Sequence, residues 1–156
     1  MNQTLRDEIR QKRPFDSLEQ EAFLSLVRTT ALLTDRFERT LKTAGVTFAQ
    51  YNVLRILRGA EPEGLCRNEI RDRMLTRMPD MTRLLDRMEE AGLVSRSRDD
   101  DDRRMVRTHV TDEGRHLLDD LAAPVADEHR RDLGGLGIER LRALVEILSE
   151  VRRSAV

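Results

Sequence analysis

Apolar residues recur along most of this chain with the spacing of amphipathic helices. One stripe runs through residues 18–41, a shorter one through residues 48–57, and two more lie beyond residue 111. Most members stand three, four or seven positions apart, which places them on one face of a helix: Leu18, Ala22, Leu26, Leu33, Phe37 and Leu41; Phe48, Val53, Leu54 and Leu57; Leu117, Leu118, Leu121 and Val125; Ile138, Leu141, Val145, Leu148 and Val151. The pattern predicts a mainly helical chain.

Residues that start and stop helices flank these stripes. A short polar side chain that can cap a helix precedes three of the apolar runs, namely Asp16 or Ser17, Thr47 and Thr111. Gly45 is expected to end the first long helix, and the glycines within residues 134–137 separate the last two. Pro124 should kink the helix that contains it.

The middle of the chain predicts two short helices joined by a tight turn. Cys66 occupies the capping position of the first helix, and residues 76–78 form the turn. Pro79, whose fixed φ suits the first helical position, is expected to open the second helix, and Gly92 to end it. The apolar face of that helix consists of Met81, Leu84, Leu85 and Met88. This is the helix-turn-helix pattern, in which the second helix is the candidate reader of DNA.

A predicted β-hairpin follows the second helix. Residues 93–98 form a half-polar strand, and residues 105–110 alternate with Val106, Thr108 and Val110 on one side. The tip between them, residues 99–104, is four aspartates followed by two arginines. A hairpin of this kind can lie along a DNA backbone or place one arginine in a narrow minor groove.

Charge does not by itself indicate a DNA-binding protein. The formal net charge is −1, although all but two of the 28 basic residues are arginines. DNA binding would therefore depend on the local placement of arginines. A helical protein-interaction module without a DNA role is the alternative that the low net charge favours.

Several other classes of protein are not expected. The single cysteine excludes an intrachain disulfide and fits a reducing compartment, and neither a signal peptide nor an apolar run of membrane-spanning length is visible, so a cytoplasmic location is expected. The three histidines lack the spacing of zinc ligands and are interpreted as ordinary surface residues. No nucleophile–base pair or phosphate-binding glycine loop is apparent, which predicts a protein without enzymatic activity, cofactor or metal.

The same central residues resemble the MarR family of winged helix-turn-helix transcription regulators. Residues 82–94 read TRLLDRMEEAGLV, followed by DRR at 102–104 and VTDEG at 110–114. The family pattern is T-R-L-x-D-R-L-E-x-x-G-L-V, then D-x-R in the wing, then L-T-x-x-G. Met88 and Val110 replace leucines of this pattern.

The resemblance implies a winged helix-turn-helix lobe and a helical dimerisation lobe. We assign residues 47–111 to the first, residues 15–45 and 112–154 to the second, and residues 1–14 to an N-terminal arm. The dimer contacts are expected from Leu18 and from the last apolar stripe, Ile138, Leu141, Val145, Leu148 and Val151. An intrachain helical bundle is the alternative use of these faces. A two-fold dimer would place two reading helices about one duplex turn apart, on a palindromic double-stranded DNA site.

The candidate DNA contacts lie on the second helix, in the turn before it and in the wing. Arg83 can bind the O6 and N7 of guanine or a phosphate, and Arg104 matches the wing arginine of the family, with Asp102 as the residue that would orient it. The other candidates are Arg77, Asp80, Thr82, Arg87, Arg96, Arg98 and Arg103. The alternative for Arg83 and Arg87 is a solvated helix face with ion pairs to Asp86 and Glu90, and the alternative for Arg104 is an ion pair that stabilises the turn.

The function expected from the resemblance is a dimeric, sequence-specific repressor that a small-molecule effector releases from its operator. Repressor polarity and ligand release are implied by the resemblance alone. Cys66 provides a further alternative, a redox-responsive regulator, because a thiol at a helix N-terminus is more easily oxidised.

Overall fold

The computed structural model describes residues 4–99 and 104–155. The chain divides into two compact units, one that ends at Phe37 and one that begins at Glu38. In the first unit, a short helix α1 (Leu5–Glu8) precedes the start of α2 (Leu18–Lys42). The hydroxyl of Ser17 accepts a hydrogen bond from the Gln20 amide at 3.2 Å, so Ser17 caps α2 rather than Asp16.

The second unit contains the core of the molecule. Helix α3 (Phe48–Arg58) begins at the capping box of Thr47 and Gln50 that the sequence predicts. Gly45 has a φ of +72°, as expected for the residue that ends the preceding helix. Core side chains come from α3, from the elements that follow it, and from the first half of the long helix over residues 112–133. Among the most deeply buried are Val53, Leu54, Leu57, Ile70, Met88 and Val94.

Two short helices, α4 (Arg67–Arg73) and α5 (Met81–Glu90), form the predicted helix-turn-helix. Cys66 stands at the N-cap of α4, and its amide donates to the Glu69 carboxylate at 2.8 Å. The prediction that Pro79 occupies the first helical position is wrong. Asp80 is the N-cap and accepts from the Arg83 amide at 3.0 Å, because a carboxylate can satisfy the free N–H groups there.

The hairpin belongs to a three-stranded antiparallel sheet of order β1–β3–β2. Strands β2 (Val94–Arg98) and β3 (Val106–Val110) pair as predicted, with Val94 opposite Val110. Strand β1 (Leu65–Cys66) was not predicted, because two residues are too few to show an alternating pattern. Thr108 and Val110 are buried as expected, whereas Val106, nearer the tip, is exposed.

Two long helices complete the second unit. Helix α6 (Asp112–Leu133) is capped by Thr111 and continues through Pro124. A single 3₁₀ turn, Gly134–Leu136, and Gly137 with a φ of +75° then separate it from α7 (Ile138–Ser154), so the predicted break is confirmed. The predicted fold class, mainly helical with a small β-wing, is confirmed, whereas the assignment of lobes stays a prediction. Among the described residues, no helix is long and apolar enough to cross a membrane.

Candidate nucleic-acid interface

Helix α5, the reading helix, separates an apolar face from a polar one. Met81, Leu85 and Met88 are buried against the second unit's core. Thr82, Arg83 and Arg87 are exposed. Gly92 follows with a φ of +73°, so the backbone reverses direction here and the chain enters the wing. The reading helix is thus fixed on one side and open to solvent on the other.

The two exposed arginines of the reading helix have no ionic partner within the described part of the chain. Neither Arg83–Asp86 nor Arg87–Glu90, the ion pairs considered from the sequence, is formed. Asp86 instead contacts Arg96 of β2 at 2.7 Å. The guanidinium groups of Arg83 and Arg87 can therefore donate hydrogen bonds to DNA without breaking an existing ion pair.

Arg96 ties the wing to the reading helix. Its guanidinium contacts Asp86 at 2.7 Å and Glu89 at 2.5 Å, and its amide also donates to Glu89 at 3.1 Å. The hydrogen bond from Arg96 holds the pKa of Glu89 below its usual value. Two carboxylates thus bind this half-buried guanidinium, and the phosphate contact expected of Arg96 stays a prediction.

A groove of about 410 Å³ lies between the reading helix, the start of α4 and the wing. Arg104 lines it, as does Thr82 of the reading helix. Arg67, which the sequence reading did not single out, also lines it and donates to the Thr82 hydroxyl at 3.1 Å. Arg67 was missed because it lies far from Thr82 in the sequence and belongs to no motif.

The remaining arginine candidates are placed on exposed positions or fall outside the described residues. Arg77 is exposed in the turn before the reading helix, and Arg98 is exposed at the end of β2. Arg103 and Asp102, the residue expected to orient Arg104, lie outside the described residues.

A buried amide holds the turn between the two helices. Asn52 of α3 accepts a hydrogen bond from the Leu75 amide at 2.9 Å. A buried side-chain amide needs such a partner, and a turn amide outside the helix needs an acceptor. Asn52 therefore fixes the backbone that leads into the reading helix, a role that nothing in its local sequence indicates.

Cys66 and His109 are both half-buried side chains near the start of α4 and the wing. Cys66 is half-buried at the N-cap of α4 and lines the groove. His109 is half-buried rather than on the open surface, and its ring lies against Gly64, where a Cβ would come within 2.6 Å of Nδ1. Among the described residues, no three His, Cys, Asp or Glu side chains form a group that could hold a metal ion. The redox role of Cys66 stays a prediction.

The residues assigned to dimerisation are poorly covered in the single chain. In the first unit, Leu18 is exposed. In the second unit, Ile138, Val145 and Val151 are exposed, and Leu141 and Leu148 are half-buried. No residue of α7 is buried.

Comparison with known proteins identifies relatives of the whole chain. The MarR family model matches residues 44–105. A MarR transcription factor from Planctomyces limnophilus is 41% identical, with a TM-score of 0.67, over 87% of this chain and 98% of its own. Sco3205, a MarR family transcriptional regulator from Streptomyces coelicolor solved in complex with DNA, is 26% identical, with a TM-score of 0.79, over 91% and 94% of the two chains.

A third relative has been solved both with DNA and with a small molecule. The transcriptional repressor CouR bound to a 23-mer DNA duplex is 27% identical, with a TM-score of 0.78, over 90% of this chain and 99% of that one. CouR from Rhodococcus jostii RHA1 bound to p-coumaroyl-CoA matches with a TM-score of 0.74, and the match covers 88% of this chain and 95% of that chain. The matched central motif, the winged fold and near-complete coverage of these relatives lead to one assignment. The chain belongs to the MarR family of DNA-binding winged helix-turn-helix transcription regulators.

Proposed function

We propose that the protein is a dimeric, sequence-specific repressor that binds a palindromic operator and is released from it by a small anionic ligand. The observation that carries the DNA contact is the set of arginines beside the reading helix. Arg83 and Arg87 are exposed without an ionic partner in the described part of the chain, and Arg67 and Arg104 line the groove beside Thr82.

The arginines take different roles according to their positions. Arg83 and Arg87 enter the major groove with the reading helix, where a guanidinium can donate two hydrogen bonds to guanine. Arg104 on the wing reaches the adjacent minor groove or its phosphates. Arg67, Arg77 and Arg98 bind phosphates and fix the register without reading sequence. Asp80 remains the N-cap of the reading helix, and Thr82 contacts the backbone together with Arg67.

The apolar face of α7 supports the dimer. Leaving a whole stripe of large apolar side chains in water is unfavourable, and a second copy of the chain would bury it. An isologous dimer presents two identical reading helices related by a two-fold axis. Such a dimer binds two half-sites in inverted orientation, about one duplex turn apart.

A cleft between α3 and α6 supports release by a ligand. It has a volume of about 530 Å³ and is lined by apolar side chains, by two arginines and by a histidine, namely Leu118, Ala122, Val125, Arg55, Arg58 and His129. An anion with an apolar body fits this lining, because Arg55 can bind its charge and the anion can compete with Asp119 for Arg58, which that carboxylate contacts at 2.7 Å. The relative CouR binds p-coumaroyl-CoA, a ligand of that chemistry. A ligand that favours one spacing of the reading helices would shift the dimer away from DNA.

The test is a titration of the protein onto the DNA upstream of its own gene at several salt concentrations. We expect nanomolar, saturable binding that weakens steeply with salt. Arg104→Ala should weaken operator binding at least about tenfold and lower the salt slope by about one per protomer. Arg130→Ala, which removes the same charge from an exposed site on α6, is the matched control. Aromatic carboxylates and their CoA thioesters are then added to the complex to test release.

Equal, weak binding of the wild type, of Arg104→Ala and of unrelated DNA would overturn the proposal. The helical interaction module without a DNA role would then be the better description. Membership of a family with DNA complexes among its solved structures, together with the arginine surface, favours the DNA-binding regulator.

A further inference from the structure

Arg107 joins two separate parts of the chain at the base of the wing. Its guanidinium forms an ion pair with the carboxylate of Asp99, which directly follows β2, and donates to the carbonyl oxygen of Gly64 at 3.3 Å. The Asp99 amide donates to the carbonyl of Met105 at 2.9 Å and closes the hairpin just below its tip. We call Asp99, Arg107 and Gly64 the wing brace.

The brace is partly enclosed by the protein. The Asp99 side chain is only 11% exposed and that of Arg107 is 31% exposed. Separating this pair costs more than separating a fully exposed pair, because little water reaches the Asp99 carboxylate to replace its partner. Neither side chain lines the groove beside the reading helix in which Arg104 lies.

The third member of the brace is closely packed. Gly64 has a φ of +66°, and a Cβ there would lie 2.7 Å from the Thr108 carbonyl oxygen. Gly64 leads through β1 directly into Cys66, the N-cap of α4, whose amide is held by Glu69. A hydrogen bond to Gly64 therefore connects the wing to the start of the helix-turn-helix.

The wing is thus tied at two corners. Arg96 holds β2 to the reading helix through Asp86 and Glu89, and Arg107 holds β3 to the segment before α4. Strand β3 also pairs with β1, but over two residues only, so these side-chain ties add to the hold on the base of the wing. Arg104 stands three residues before Arg107 in the chain and lines the groove beside the reading helix.

We propose that Asp99 and Arg107 are positioning residues for DNA binding, which hold Arg104 against the DNA without contacting DNA themselves. This inference rests on the proposed DNA-binding function. Electrostatics alone predicts the opposite effect for Asp99. A carboxylate near DNA repels the phosphates, so removing its charge should strengthen DNA binding. The brace predicts the reverse, because an amide at position 99 no longer holds the guanidinium of Arg107.

The test is the operator affinity of Asp99→Asn, measured with the full-length protein at several salt concentrations. We expect about tenfold weaker binding and the same reduced salt slope as in Arg104→Ala. In the Arg104→Ala background, Asp99→Asn should have almost no further effect, because the residue that it positions is absent. Arg107→Lys, which keeps the charge but cannot reach both partners, should show an intermediate loss.

The controls separate positioning from loss of folding and from failure of the proposed function. Asp127→Asn removes a carboxylate from an exposed ion pair with Arg130 and should leave operator affinity unchanged. Thermal unfolding of Asp99→Asn should show that the variant is folded at the binding temperature. Wild-type binding with unchanged or tighter binding by Asp99→Asn overturns the brace alone, as does an equal loss in the Arg104→Ala background. A wild type that binds no operator overturns both proposals.

Discussion

Two amphipathic helices of the second unit, α5 and α7, use their apolar faces differently. Along α5, Met81, Leu85 and Met88 are each at most 4% exposed. Along α7, Ile138 is 64% exposed and Val145 62%, and no residue is buried. Both helices carry apolar residues at helical spacing, so periodicity in the sequence does not distinguish them.

The difference lies in what surrounds each helix. The reading helix packs on α4 and β2 of its own chain, and its polar face is left for DNA. Helix α7 follows a glycine turn and has little of its own chain over its apolar face. One region is completed within the chain and, in the proposed function, faces DNA, whereas the other would be completed by a second copy of the chain in the proposed dimer. The contrast leads to three predictions, from the largest expected effect to the smallest.

The largest effect should come from a charge in the open stripe. Val145→Asp places a carboxylate at an exposed position, so the single chain should fold normally. In the proposed dimer the carboxylate would be buried without a partner, at a cost of about 3 kcal/mol or more. We expect a monomer in analytical ultracentrifugation and operator binding weakened at least about a hundredfold.

Ala143→Asp is the matched control for Val145→Asp. Residues two positions apart point to opposite sides of a helix, so this carboxylate should stay in water. A dimer that persists in Val145→Asp would contradict the use of this face. Loss of the dimer in both variants would point to a general effect of charge on α7.

A smaller effect should come from overfilling the closed region. A Cβ at Gly114 would lie 2.4 Å from the carbonyl oxygen of Leu93 and 3.1 Å from Leu54 Cδ2. Gly114→Ala should therefore push α6 away from the wing and α3, and lower the free energy of unfolding by about 2 kcal/mol. Thermal unfolding should show a fall in Tm of roughly 5 °C.

Gly134→Ala is the control that tests whether the close packing around Gly114 causes the loss of stability. No atom lies within 4 Å of its added Cβ, and the backbone there is helical. Its stability should equal or slightly exceed that of the wild type. If Gly114→Ala were as stable as Gly134→Ala, the close approach of α6 to Leu93 would be disproved.

The smallest effect concerns the tie between the wing and the reading helix at low pH. The hydrogen bond from Arg96 lowers the pKa of Glu89 in the folded protein. Such a group stabilises the fold above its unfolded pKa, about 4.3, and this contribution is lost as the pH falls through the folded value. Glu89→Gln should be less stable than the wild type at neutral pH, and the difference should shrink on acidification. A difference that is constant with pH, measured by urea unfolding, would argue against this ionic contribution.

Local chemistry allowed much of the fold to be predicted from the sequence. Thr47 and Thr111 cap their helices because their side-chain oxygens accept hydrogen bonds from amides of the first turn, which have no carbonyl partner within the helix. Gly45 and Gly92 end helices because their positive φ values favour glycine. These features depend on a few neighbouring residues, and each was readable without knowledge of the rest of the chain.

The site was less predictable because its important contacts join distant residues. Arg67 meets Thr82, Asn52 holds the Leu75 amide, and Arg107 reaches Gly64. Arg96 and Arg104 looked alike in the sequence as wing arginines near acidic residues. Both line the groove beside the reading helix, and the structure adds that Asp86 and Glu89 hold Arg96, which the local sequence of the wing does not indicate.

The sequence by itself determined the helices, the wing strands and the motif of the family, because caps, glycines and apolar spacing act over one or two turns. The tertiary structure decided which arginines are held by carboxylates, which amide supports the turn, and which apolar stripe stays uncovered. Those outcomes depend on side chains that are far apart in sequence and only a few ångströms apart after folding. Charge and periodicity are properties of segments, whereas the availability of a guanidinium or an apolar face depends on its three-dimensional neighbours.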